Sequence, residues 1–236
     1  MSAADDATAW AETVAEYGGK HELRYDPIGG LNPVDAPPAL CPGGANRLTG
    51  ELARDAWGAS CDAEEFEAGG LFKKAVLPRA VLVKAHMPDL AAVVPIFNVE
   101  SLEANPDDVF QRVASRRKVE FESLDFNKRF LATVPSDHDP IALRELFGPA
   151  FLDWVTTIDR EIDFGVSERQ IYFLWRLRER TADELELALE AGGELFRRVR
   201  REMEESGHQP YPAGPWHAGL EPFPPNPAEG PGPSPV

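Results

Sequence analysis

VEFESLDFNKRF, residues 119–130, is the stretch whose reading decides the fold. Val119, Phe121 and Ser123 alternate with charged residues at the period of a half-buried strand, so a strand is expected to end here. The Ser123 hydroxyl can cap a helical turn, and Asp125 suits the start of one. Phe126 and Phe130, at i and i+4, then fall on one side of that turn, with Asn127, Lys128 and Arg129 less buried. RFLATVPS follows as a second strand. A strand–turn–strand corner pinned by two phenylalanines needs no ligand to explain it. The competing reading has Arg129 or Glu122 facing a cleft, with no partner identifiable from the sequence.

Upstream of the corner, AVLPRAVLVKAH (75–86) and AAVVPIF (91–97) read as strands, with Pro78 and Pro95 pushing those positions to edges or bulges. NPDDVFQRVAS (105–115) reads as a helical turn with Asn105 as N-cap. Residues 26–70 are dense in Pro and Gly, which predicts a loop-rich covering with a short strand or two, packed by Leu31, Leu40, Leu48, Leu52, Trp57 and Phe66. DDATAWAETVAEY (5–17) predicts a helix whose Trp10, Val14 and Tyr17 form one apolar stripe, stopped by Gly18 and Gly19.

Downstream, Asp139 and Pro140 open a helix, Gly148-Pro149 breaks it, and AFLDWVTTI resumes it in a new direction. EIDFGV and RQIYFLWRL predict a hairpin, with Ile171, Phe173 and Trp175 on one face. The last helix starts at a capping box, Thr181 with Glu184, and repeats Leu185, Ala188, Leu189, Leu195, Phe196, Val199 and Met203 at helical spacing. Gly192-Gly193 inside it costs about 2 kcal/mol against two alanines, which predicts a close approach or a bend. Beyond Gly207, ten prolines in twenty-nine residues cannot bury a core. The expected fold is therefore α+β: a mostly antiparallel sheet with two or three packed helices, one domain over 5–206, and a disordered Pro-rich tail over 207–236.

Forty acidic against 24 basic residues give a net charge of −16, which argues against nucleic acid or an anionic membrane surface as partner. The arginine run at 197–201 is accounted for by a helix C-terminus and by pairing with Glu194, Glu202 and Glu204. The longest apolar region, 75–97, is interrupted by Arg79, Lys84, Asp89 and three prolines and does not read as a membrane span. Two cysteines and an acidic N-terminus without a signal pattern place the chain in the cytoplasm by default.

No phosphate-loop, dinucleotide, zinc-protease or nucleophile-elbow motif occurs, and no cofactor or metal is expected. PGGANRLTG (42–50) is glycine-rich but lacks the frame of a phosphate cradle. In SDHDP (136–140), Asp137 and Asp139 flank His138, a pairing that could serve a general base, although a helix start explains it as well. Cys41 and Cys61 are compatible with inert thiols, a disulfide or a nucleophile, and lack a redox spacing. His138, Asp137 and Cys41 are thus the weak catalytic candidates.

The spaced residues Glu122, Ser123, Phe126, Asn127, Phe130, Pro149 and Phe151 resemble the pattern of an uncharacterised bacterial family, a domain of unknown function. Its members show E-S-x-x-F-N-x-x-F, then a strand and helices. The resemblance covers roughly residues 120–155 and implies a shared fold unit. It implies no activity, and the transmembrane hairpin common upstream in that family has no counterpart here. The expected function is a soluble, cytosolic, non-enzymatic binding or scaffold protein, with a protein partner reached through the Pro-rich tail, where PFPPNP suits an aromatic-lined groove. The alternative is a hydrolase or transferase with a dispersed site.

Overall fold

The computed structural model describes residues 3–27, 44–51, 60–66, 80–86, 94–103, 116–166 and 170–205. The expected turn at 105–115, Cys41 and the Pro-rich segment lie outside these residues, and so do Leu31, Leu40, Leu52 and Trp57.

Five helices and nine strands are described: α1 (Ala3–Lys20), β1 (Arg24–Asp26), β2 (Gly44–Glu51), β3 (Ser60–Phe66), β4 (Ala80–His86), β5 (Phe97–Ser101), β6 (Arg116–Val119), α2 (Leu124–Arg129), β7 (Phe130–Pro135), α3 (Pro140–Leu146), α4 (Pro149–Thr157), β8 (Ile162–Val166), β9 (Gln170–Arg176) and α5 (Ala182–Glu205). The strands form one sheet in the order β1-β2-β3-β4-β9-β8-β5-β7-β6, and each pairing is antiparallel. The fold is α+β. Strands β1 to β4 form a meander, and the β8–β9 hairpin inserts between β4 and β5. The last strand in sequence thus lies in the middle of the sheet.

That position explains its composition. A central strand is covered on both faces and loses the polar half of its alternation. Ile171, Phe173 and Trp175 enter the main core, while Tyr172 and Leu174 join Ala80 and Leu82 in a second cluster on the opposite face. Residues of all five helices belong to the main core: Trp10 and Val14, Phe126, Leu143, Phe151 and Val155, and Leu185, Leu189 and Phe196. Each such side chain contributes about 1.5–3 kcal/mol on burial.

The corner behaves as its pattern predicts, and its polar residues do more than expected. The Ser123 hydroxyl accepts from the Phe126 N–H at 3.2 Å. Phe126 is fully buried, with its ring 5.1 Å from those of Phe121 and Phe130. Asn127 folds back on Phe121, donating to its carbonyl at 2.6 Å and accepting from its N–H at 3.1 Å. The side-chain amide stands in for a neighbouring strand just where β6 has ended. At the Gly148-Pro149 break, Phe147 and Phe151 stack at 4.2 Å, and Phe147 also meets Phe97 edge-on at 5.1 Å.

Some boundaries differ from the sequence reading. Helix α1 continues through Gly18 and Gly19 to Lys20. Gly18 is where Leu48 approaches, and an added Cβ would lie 2.8 Å from the leucine methyl. The strand expected over 91–97 begins at Phe97, beyond Pro95, and β6 stops at Val119. PGGANRLTG is largely strand β2, with Asn46 at φ 60° where the register shifts between Ala45 and Leu48. The Asn46 side chain accepts from the Tyr25 hydroxyl at 2.8 Å there. Gly192 is a close approach, since a Cβ would meet the Val83 side chain at 2.9 Å.

Candidate functional site

The alternation of the β8–β9 hairpin sends Ile162, Phe164, Phe173 and Trp175 into the core and leaves Asp163 and Arg176 on the other face. Asp163 is buried and accepts twice: from the Ser101 N–H and from Arg176 Nη2, both at 2.8 Å. One carboxylate thereby ties β5, β8 and β9 together. Glu161, at the start of the hairpin, adds a looser contact to Arg176 Nε at 3.8 Å.

On the core side, α5 brings in Glu184. The Thr181 hydroxyl accepts from the Glu184 N–H at 3.2 Å, which is one half of the expected capping box. The glutamate side chain completes a different network. Its carboxylate accepts from Arg160 Nη2 at 2.7 Å and from the Trp175 indole N–H at 3.3 Å. Burial pushes the Glu184 carboxyl up, but the hydrogen bonds and charge of Arg160, with Trp175 and a backbone N–H, outweigh it and hold the group below the usual carboxylate range. Arg160 also lies over the Trp175 ring at 5.7 Å.

Arg129, the last residue of α2, reaches the C-terminal end of α4. Its guanidinium donates to the carbonyls of Thr156 at 2.6 Å, Ile158 at 2.7 Å and Arg160 at 3.1 Å. These carbonyls lie at and just past the negative end of a helix, which favours a cation. Among the described residues, no carboxylate lies within ion-pair distance of Arg129.

Two cavities meet here. The smaller, about 250 Å³, is lined by Arg129, Arg160, Arg176, Arg178, Leu177 and the acids Glu103, Asp159 and Glu161. The Arg160 and Arg176 side chains in its wall are only 17% and 11% exposed and are paired with Glu184 and Asp163. Of the acids, Asp159 is 88% exposed and pairs with Arg160 and Arg178, whereas Glu161 is 39% exposed beside Arg176. Arg160 Nε and Arg176 Nη1 are closed off from solvent and, among the described residues, have no hydrogen-bond acceptor. The larger cavity, about 700 Å³, is an open groove between α4 and α5, with Trp154, Ile158, Trp175, Leu187 and Ala191 among its walls. Trp154 is held in place by Arg198, whose guanidinium lies 4.6 Å over its ring. Arg198 in turn shares Glu194 with Arg197, at 2.7 Å and 2.9 Å. Both cavities include Asp159 and Arg160.

The sequence-based candidates do not gather at this site. His138 Nδ1 lies 3.1 Å from Asp137 in the turn after β7, where the Asp137 side chain is 83% exposed. The hydrogen bond to His138 holds the Asp137 carboxyl below its usual range. Asp139 is a helix cap, its carboxylate accepting from the Ile141 N–H at 2.9 Å. Neither cavity includes His138 or Asp137. Cys61 lies in β3, and its side chain, like the whole of Cys41, is outside the described residues. Among the described residues, no three His, Cys, Asp or Glu side chains group so as to hold a metal ion. No described helix is long and apolar enough to cross a membrane.

Sequence reasoning passed over Arg160, Arg176 and Asp163, and read Glu184 only as half of a capping box. The available signal was a charge inside an apolar strand, Asp163 in IDFGV, which calls for a buried partner. No protein-family profile matches the chain, and no curated protein sequence matches it. The family resemblance over 120–155 accordingly rests on its spaced residues alone.

Proposed function

We propose that this chain is a non-enzymatic binding protein that holds a small anionic ligand where the α4–β8 turn meets the end of β9. The single observation behind this reading is the make-up of the smaller cavity. Four arginines, Arg129, Arg160, Arg176 and Arg178, line it, and among the described residues Arg129 has carbonyl partners only. Guanidinium presents a rigid fork of donors that matches carboxylate and phosphate oxygens. The surrounding ion pairs hold that fork in place without a ligand, so little ordering remains to be done on binding.

Thermal unfolding in the presence of inorganic phosphate, sulfate and simple carboxylates tests the reading. A midpoint that rises with millimolar anion in the wild type, and rises less in Arg178→Glu, supports it. A midpoint indifferent to every anion, with chloride as the ionic-strength control, refutes it. The enzymatic alternative predicts turnover of chromogenic esters or phosphoesters that His138→Asn abolishes, and such turnover would replace the binding reading.

Two further assignments rest on composition. We place the protein in solution in the cytoplasm, on its two cysteines and acidic charge. We assign residues 207–236 to contact with a protein partner that carries an aromatic-lined groove, on their proline content. Retention of the same partner from a lysate after deletion of 208–236 would overturn the second assignment.

A further inference from the structure

We propose that the ligand is an oxyanion carried on an apolar, planar body, such as an aryl carboxylate or aryl phosphate, with its head in the arginine cavity and its body in the α4–α5 groove. The inference rests on the binding reading above and adds the ligand's second half.

Three observations carry it. The two cavities are neighbours, with Asp159 and Arg160 in the walls of both. Asp159 is 88% exposed and pairs with both Arg160, at 3.5 Å, and Arg178, at 3.4 Å. The volumes suit the two halves of such a molecule: about 250 Å³ for a charged head and about 700 Å³ of open groove for a ring system. The groove also offers apolar surface that the fold does not use. Leu187 is one of only three large hydrophobic residues left exposed among the described residues, at 45%, and it lies in the groove wall with Trp154 and Ile158. Trp154 is stacked under Arg198, so its indole is a pre-set surface rather than a mobile one.

The acids in the lining narrow the class further. Glu103, Asp159 and Glu161 around a guanidinium wall disfavour a ligand with several spread negative charges, because some would face these carboxylates. A single compact head avoids that repulsion. Its affinity must then come from somewhere other than net charge, and burying a ring against Leu187 and Trp154 supplies it.

Isothermal titration at low ionic strength with four probes tests the proposal: inorganic phosphate, phenyl phosphate, 2-naphthoate and neutral 2-naphthol. The expected result is that phenyl phosphate or 2-naphthoate binds at least tenfold tighter than inorganic phosphate, with 2-naphthol weakest. Which of the two aryl anions wins distinguishes a phosphate head from a carboxylate head. Leu187→Ser, an uncharged change at an exposed position, should erase the tenfold gain without adding a charge that repels inorganic phosphate. Arg178→Glu should weaken every anionic probe. Equal affinity for phenyl phosphate and inorganic phosphate, or an aryl gain that survives Leu187→Ser, overturns this proposal and leaves the anion-binding reading standing. Absence of binding by all four probes overturns both.

Discussion

Replacing Arg129 by methionine is the most direct probe of how the corner at 119–130 is fixed to the rest of the molecule. Methionine keeps much of the side chain's length and its packing stem but removes the guanidinium. Three charge-assisted hydrogen bonds are lost, to the carbonyls of Thr156 at 2.6 Å, Ile158 at 2.7 Å and Arg160 at 3.1 Å. A hydrogen bond to a charged group is worth about 1.5–3 kcal/mol net. Counting only the two short ones gives about 3–6 kcal/mol, and the freed carbonyls recover part of that by taking up water. The contact of the guanidinium with the Phe130 ring, at 5.2 Å, is lost as well. It adds about 0.5–1 kcal/mol. We therefore expect Arg129→Met to lower stability by about 3–4 kcal/mol, or about 6–16 °C in midpoint for a domain of this size. Urea unfolding followed by far-UV circular dichroism reads the first figure and calorimetry the second. Arg129→Lys should recover less than half, because an ammonium cannot reach both short carbonyls with one fork. A methionine variant within about 1 kcal/mol of wild type would refute the clamp and return Arg129 to the ordinary surface residues.

Phe126→Ala and Phe130→Ala should each cost about 3–5 kcal/mol in the same urea assay, because both rings are buried; wild-type stability in either breaks the corner reading. Gly165 and Gly192 make a contrasting pair. A Cβ at Gly165 would lie 2.5 Å from the Phe97 carbonyl oxygen and 2.6 Å from the Tyr172 hydroxyl, so Gly165→Ala should lose about 3 kcal/mol or more. At Gly192 the crowding by Val83 is offset by about 1 kcal/mol of helix propensity, so Gly192→Ala should stay within about 1 kcal/mol of wild type. Equal losses at the two positions would contradict the difference in their surroundings. Glu184 has a depressed carboxyl in the folded protein, so its stabilisation is complete above the unfolded value near 4.5 and fades as the pH falls through the folded one. The stability gap between wild type and Glu184→Gln should therefore be constant from neutral pH down to about pH 5 and shrink below it. A gap that widens on acidification would show that the carboxylate is not held by Arg160.

Much of the architecture was legible because it is written in local chemistry. Ser123 and Asp139 cap the helices that follow them, as their side chains and spacing require. Gly148-Pro149 breaks a helix in two, and the apolar spacing of α5 puts Leu185, Leu189, Phe196 and Val199 in the core. The errors were local as well. Glycines at 18 and 19 read as a stop, but a tertiary contact with Leu48 makes use of Gly18 inside a continuing helix. Packing against a neighbour outweighed the propensity of the pair.

The candidate site was not legible, for a different reason. Arg129 meets carbonyls 27 to 31 residues away, Arg160 meets Glu184 24 residues away, and Asp163 meets the Ser101 amide 62 residues away. No spacing rule connects such residues, because their separation depends on where the β8–β9 hairpin enters the sheet. By itself, the sequence determined the helix starts and caps and the apolar faces of the elements beyond residue 116, through interactions that span only a few residues. Only the tertiary structure decided that the last hairpin sits between β4 and β5. That placement buries β9 on both faces, carries Arg176 and Trp175 to opposite sides of the sheet, and brings four arginines to one cavity. The choice is made by pairing free strand edges and matching apolar faces across long stretches of chain, a property of the assembled sheet that no single segment contains.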